Sequence, residues 1–98
     1  MRRVSFNRLA ERELAEAAAY YEQESQGLGE RFLEEVSSST LLLLTYPFAA
    51  PRFSGVTRRF VLPQFPYYIV YQVRGKDRLR VLAIAHQKRD PRYWVGRS

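Results

Sequence analysis

Cysteine is absent from this chain of 98 residues, and histidine and tryptophan occur once each. No disulfide, thiolate metal site or cysteine nucleophile can form, and one histidine without spaced carboxylates is too little for a metal. No metal and no cofactor is expected. A short secreted chain would ordinarily carry disulfide staples, so their absence points to the cytoplasm. Long apolar runs are also missing. Leu41 to Leu44 falls far short of the roughly 20 residues a membrane span requires. The charged start, Met1-Arg2-Arg3-Val4-Ser5-Phe6-Asn7-Arg8, has no apolar stretch of the kind a signal peptide needs. Repeats, low-complexity stretches and linker-like segments are lacking as well. The expectation is one soluble domain over residues 1–98, with one core and no membrane contact.

Acidic charge is scarce in the second half only. Residues 1–50 hold five Lys/Arg and eight Asp/Glu, a net −3, whereas residues 51–98 hold eleven Lys/Arg and two acids, a net +9. The halves therefore present different surfaces. A basic surface attracts polyanions or an acidic protein segment through forces that salt screens. The bland alternative is a solubilising surface without a specific partner.

Arg3 to Phe6 reads as a short strand with Val4 and Phe6 on one face, and Asn7 as the N-cap of a helix. From Arg8 to Glu24, Ala10, Leu14, Ala17, Ala18 and Tyr21 recur at helical spacing, with most of the glutamates elsewhere. Gly27 and Gly29 interrupt that helix. A second helix, carried by Leu28, Phe32, Val36, Thr40, Leu43 and Leu44, runs until Pro47 ends it. The short connection predicts an antiparallel helical hairpin. The period then changes. Thr57 to Leu62 alternates as a strand, Tyr67 to Val73 is dense in aromatic and β-branched residues, and Arg74-Gly75-Lys76-Asp77 turns the chain into a last strand, Arg78 to Ala85. The fold predicted is α+β in two layers, ordered β-α-α-β-β-β. Its helical hairpin packs on one face of a small, largely antiparallel four-stranded sheet.

Several local patterns fall in a recognisable order. They are the Ala/Glu-rich helix with Tyr20-Tyr21, the junction Gly27-Leu28-Gly29-Glu30-Arg31-Phe32, Tyr46-Pro47 with Pro51, Arg58-Arg59, Phe65-Pro66-Tyr67-Tyr68-Ile69-Val70-Tyr71, and Val81 to Arg89 followed by Asp90-Pro91. Together they resemble the RelE/ParE superfamily, the toxins of type II toxin–antitoxin modules, also called plasmid-stabilisation proteins. The likeness is closer to the ParE branch. The RelE branch cuts messenger RNA on the ribosome, and arginine supplies much of its anion stabilisation. In this chain the arginine usual in the third strand falls at Tyr68, and the one after the last strand falls at Gln87. Neither position retains a cation.

The resemblance to ParE implies a toxin without established catalytic residues that binds DNA gyrase and is neutralised by a cognate antitoxin in a hetero-oligomer. Nucleic acid would then be met only through the target or the ribosome. The rival readings are a RelE-like endoribonuclease using some of His86, Lys88, Arg89 and Tyr93, and a nontoxic module that binds only an antitoxin.

Candidate binding residues emerge from charge and alternation. Arg58 and Arg59 point to opposite faces of a strand, so one is expected to be structural and the other to face solvent or a partner. Lys88, Arg89 and Arg92 form the densest basic group, beside Tyr93 and Trp94. That grouping suits a solvated loop, stacking on bases or anchoring an acidic peptide. Trp94 also suits a core or interface anchor. His86 is either an acid–base group near neutral pH or a ring that caps the sheet end and hydrogen-bonds a loop. Tyr67 and Tyr71 share a face with Ile69 and are expected under the helices, whereas Tyr68 and Val70 share the other face. That second face needs a cover, which the resemblance implies an antitoxin segment would supply.

Overall fold

The computed structural model describes residues 3–98; Met1 and Arg2, where the charged N-terminal segment begins, lie outside the described residues. In chain order the elements are β1 (Arg3–Phe6), α1 (Arg8–Glu24), α2 (Leu28–Thr45), β2 (Arg52–Ser54), β3 (Thr57–Val61), β4 (Tyr67–Arg74) and β5 (Arg78–His86). One sheet holds all five strands in the order β1-β5-β4-β3-β2. β1 runs parallel to β5 and the other pairs are antiparallel. The two-layer α+β arrangement is as the sequence predicts. The sheet is five-stranded rather than four-stranded, because Arg52–Ser54 turns back against β3. Three residues between Pro51 and Gly55 are too few to establish an alternation in the sequence.

Asn7 caps α1 through its side-chain oxygen, which accepts from the Leu9 N–H at 2.8 Å. Glu22, near the end of α1, accepts from the Gly27 and Gly29 N–H groups at 2.9 and 3.0 Å. One carboxylate thus satisfies two orphan donors at the positive end of α2. Gly27 turns the corner at φ 86°. Gly29 has a different task. A Cβ built there would meet the Ala18 carbonyl oxygen inside van der Waals contact, so this residue sets how closely the helices approach.

The helical face of the sheet carries the larger core, with Ala10, Phe32, Leu43, Ile69, Tyr71, Leu79, Val81 and Ile84 buried and Tyr21 and Tyr67 packed against it. Four rings interlock there: Phe32 lies 5.1 Å from both Phe65 and Tyr67, and Tyr21 lies 4.9 Å from Phe65. Edge-to-face contacts of this kind add about 0.5–1.5 kcal/mol each beyond area burial.

Residue alternation in β5 changes sign partway. Val70 pairs with Ala83 and Tyr71 with Val81, which leaves Leu82 as an extra residue in a β-bulge. Before the bulge Leu79 and Val81 face the helices; after it Ile84 does, while Leu82, Ala83 and Ala85 join the opposite face. The edge groups freed beyond the end of β1 find side-chain partners. The Ile84 N–H donates to Glu13 and the Leu82 carbonyl accepts from Arg97, both at 3.0 Å.

The second face has its own cover. Trp94, 3 % exposed, packs with Tyr68, Val70, Leu82, Ala83 and Ala85. The chain after Asp90 therefore lies over the surface that the resemblance assigned to an antitoxin. Arg97 pins this segment by a two-pronged ion pair with Glu13, at 3.0 Å to each carboxylate oxygen. Asn7 adds a hydrogen bond to the Ser98 carbonyl at 2.9 Å.

Candidate functional site

The structure divides the predicted site residues between two clefts, the interior and open solvent. Arg58 points toward the helical side, where its guanidinium donates to the carbonyls of Ala50 at 2.7 Å and Phe48 at 3.2 Å. It holds the segment before β2 in place. Arg59, one residue on, faces the second side. Its guanidinium lies over the rings of Phe53 at 4.6 Å and Tyr68 at 5.1 Å. Neither stacking partner carries charge. No hydrogen bond or ion pair from this guanidinium is formed among the described residues.

Arg59, Val61, Tyr68 and Gln87 line an open cleft of about 320 Å³. The two positions at which the RelE branch would place arginines, Tyr68 and Gln87, are thus brought together in space. Arg59 is the single cation among the lining residues. No imidazole or carboxylate joins it there, so this cleft has one group to hold an anion and no pair to exchange protons with it.

His86, Arg89 and Tyr93 line a different cleft, about 170 Å³, between α1 and the end of β5, together with Glu13, Glu16, Tyr20 and Tyr67. The bulge at Leu82 accounts for the division. With uninterrupted alternation His86 would share the face of Tyr68; shifted by one, it meets the edge of the Tyr67 ring at 5.0 Å on the helical side. Its Nδ1 accepts from the Lys88 N–H at 3.0 Å, so the neutral ring carries its proton on Nε2.

Tyr93 is held between arginines, with Arg89 3.9 Å and Arg97 5.1 Å from its ring centre. Its buried hydroxyl makes no hydrogen bond of good geometry among the described residues. Burial pushes the phenol well above its ordinary value, the Glu13 carboxylate pushes it further, and the two arginines partly oppose this. Burial also raises Tyr21, Tyr67 and Tyr71.

The consequence for stability has a definite sign. In the unfolded chain tyrosines lose their protons near pH 10, before the folded ones do. The unfolded state is therefore favoured as pH rises through and beyond that value. Urea midpoints should hold constant from pH 7 to about 9 and fall above pH about 10. Tyr93→Phe should flatten part of that fall. A midpoint independent of pH up to about 11 would contradict the burial of these phenols.

Lys88 and Arg92 stand in solvent, and Arg92 is 3.6 Å from Asp90 in an exposed pair. Such a pair contributes little to stability. Trp94 is interior, 5.4 Å from Phe53, and its indole N–H has no partner among the described residues. The basic, aromatic tip is therefore not one surface.

Two residues were missed by sequence reasoning, Glu13 and Arg97. Glu13 stands three residues after Ala10 and four before Ala17, inside the apolar stripe of α1. A carboxylate at that spacing is itself a signal of a buried partner. Among the described residues no group of three His, Cys, Asp or Glu could hold a metal ion, and no helix is long and apolar enough to cross a membrane.

In comparison with known proteins, a protein-family model described as "ParE toxin of type II toxin-antitoxin system, parDE" matches residues 4–91. Among solved structures, a chain of the "Chromosomal ParDE TA system from P. aeruginosa" superimposes with a TM-score of 0.68 at 20% identity, covering 88% of this chain and 96% of that one. At that identity the likeness is one of fold. No curated protein matches the chain.

Proposed function

Because the chain belongs to the ParE toxin family of type II toxin–antitoxin systems, we propose that it inhibits growth by binding its target and is neutralised by a cognate antitoxin. DNA gyrase is the target we infer, from the branch of the family this sequence resembles. The free chain would hold gyrase on cleaved DNA, and the antitoxin would occupy the chain in a hetero-oligomer within the cytoplasm.

One observation carries the choice of binding over cleavage. The cleft at Tyr68 and Gln87 has Arg59 as its only lining cation. RNA cleavage needs a group to activate the 2′-hydroxyl, cations to stabilise the pentacovalent phosphorus and an acid for the leaving oxygen. The one imidazole lies on the other side of the sheet, with Nδ1 already accepting from Lys88. A binding surface asks for none of these groups.

Induction of the chain without an antitoxin provides the test. The expected result is arrested growth, inhibited supercoiling and recoverable gyrase–cleaved-DNA complexes, with translated messages intact by primer extension. Cleavage at codon-positioned sites would overturn the choice in favour of the RelE-like nuclease. Normal growth with the folded protein abundant would leave a module that binds an antitoxin alone.

A further inference from the structure

We propose that Arg59 and the open edge of β3 form a docking site for an extended, acidic segment of a protein partner, one of whose carboxylates is taken by the Arg59 guanidinium. This rests on the proposed function, in which the chain works with a protein partner, and adds the residue and the recognition chemistry.

Arg59 is fixed in place but uncommitted. Its guanidinium carbon lies over the rings of Phe53 and Tyr68, and none of its N–H donors is taken by a hydrogen bond or ion pair among the described residues. A guanidinium with its donors untaken can hold a carboxylate in two-pronged fashion. Its neighbours contrast with it: Arg58 donates to Ala50 and Phe48, and Arg97 to Glu13 and Leu82. A pre-positioned arginine loses little side-chain freedom when its anion arrives.

The strand beside it has a free edge. Leu62 N–H donates to the Tyr67 carbonyl at 2.9 Å. By antiparallel alternation the Val61 N–H and C=O then point away from β4. On that side the last bond runs from Arg59 N–H to the Pro51 carbonyl at 3.2 Å, and among the described residues no strand pairs with Val61 there, its only strand partner being Tyr68 of β4. Val61 is 53% exposed. Beyond the edge lies a groove of about 360 Å³ with Leu42, Ala49, Pro51 and Phe60 among its walls.

An added strand places alternate side chains on the two sides of the sheet. A carboxylate toward Arg59 would therefore be flanked by apolar residues toward Leu42 and Phe60. This combination favours a peptide over a nucleic acid strand. A single-stranded nucleic acid is held by several cations and by rings with open faces, whereas one cation and apolar walls suit a carboxylate between apolar residues. The +9 charge of residues 51–98 supports attraction of an acidic chain.

The test uses the full chain labelled with nitrogen-15, the Arg59 Nε–H and Val61 amide signals being read by NMR. Three probes are titrated: a capped peptide of about six alternating valines and glutamates, its glutamine counterpart, and an oligothymidylate of about ten nucleotides. The acidic peptide should shift both signals saturably. The glutamine counterpart should bind about tenfold more weakly, and Arg59→Gln should lose the same factor with its urea midpoint unchanged. Movement with the oligonucleotide but not the acidic peptide would overturn the proposal in favour of nucleic acid. Stillness with all three would also overturn it.

Co-purification with the product of the adjacent gene separates the two levels. Equal recovery with wild type and Arg59→Gln would remove this site while the partner reading stands. If wild type recovers no partner, that reading fails, and the peptide titration still decides the site.

Discussion

Replacing Trp94 by alanine is expected to cost about 3–5 kcal/mol of folding stability, the range for removing a large buried aromatic. A small domain has only about 5–15 kcal/mol in total. The indole is 3 % exposed and is the main apolar group that the chain after Asp90 places on the second face of the sheet. Its removal would uncover Tyr68, Val70 and Ala85 and loosen the Glu13–Arg97 pair, whose side chains are 15% and 13% exposed. Trp94→Phe should cost far less, about 1 kcal/mol, because it keeps most of the volume and removes an indole N–H that is buried without a partner among the described residues. Urea denaturation followed by far-ultraviolet circular dichroism checks both, since the variants lose tryptophan fluorescence. If Trp94→Ala shifted stability by less than about 1 kcal/mol, the terminal segment would not be a structural cover.

Gly29→Ala should destabilise by about 3 kcal/mol, the opposite sign to the ordinary helical exchange, in which alanine gains about 1 kcal/mol over glycine. The new methyl group would stand against the Ala18 carbonyl and, at 3.0 Å, against the Glu22 Cβ. Backbone on one side cannot rotate away, so the helices must separate. Separation would also stretch the hydrogen bonds by which Glu22 caps α2. A fall in melting temperature of roughly 10–20 °C is expected for a domain of this size. Gly27→Ala would be strained for another reason, its positive φ, although a Cβ there meets nothing within 4 Å. A melting temperature for Gly29→Ala equal to or above that of wild type would show that the helix crossing is not set at this residue.

The helices and the long strands were legible because their apolar periods are sustained. Val4 and Phe6, the stripe from Ala10 to Tyr21, and the series from Phe32 to Leu43 all pack where spacing places them. The bulge at Leu82 was not legible. Every residue from Val81 to Ala85 is apolar, so the sequence holds no polar–apolar alternation in which a slip could be seen. That run decides which side His86 occupies, and so the candidate site came apart in the structure. The cover by Trp94 was equally hidden. The tryptophan signalled burial without naming its surface, and Tyr68 with Val70 signalled a surface without naming its cover. Arg58 and Arg59 were separable as a pair by alternation; only the carbonyls of Phe48 and Ala50 show which one is structural.

The pairing of β1 with β5 has a consequence in time. On the ribosome β1 is made before either helix, yet the strand that receives it, from Arg3 opposite Arg78 to Phe6 opposite Val81, is made after every other strand. At about 5–20 residues per second, β1 and both helices wait for seconds beside a sheet whose middle does not yet exist. Synthesis order thus leaves the sheet incomplete until β5 has emerged.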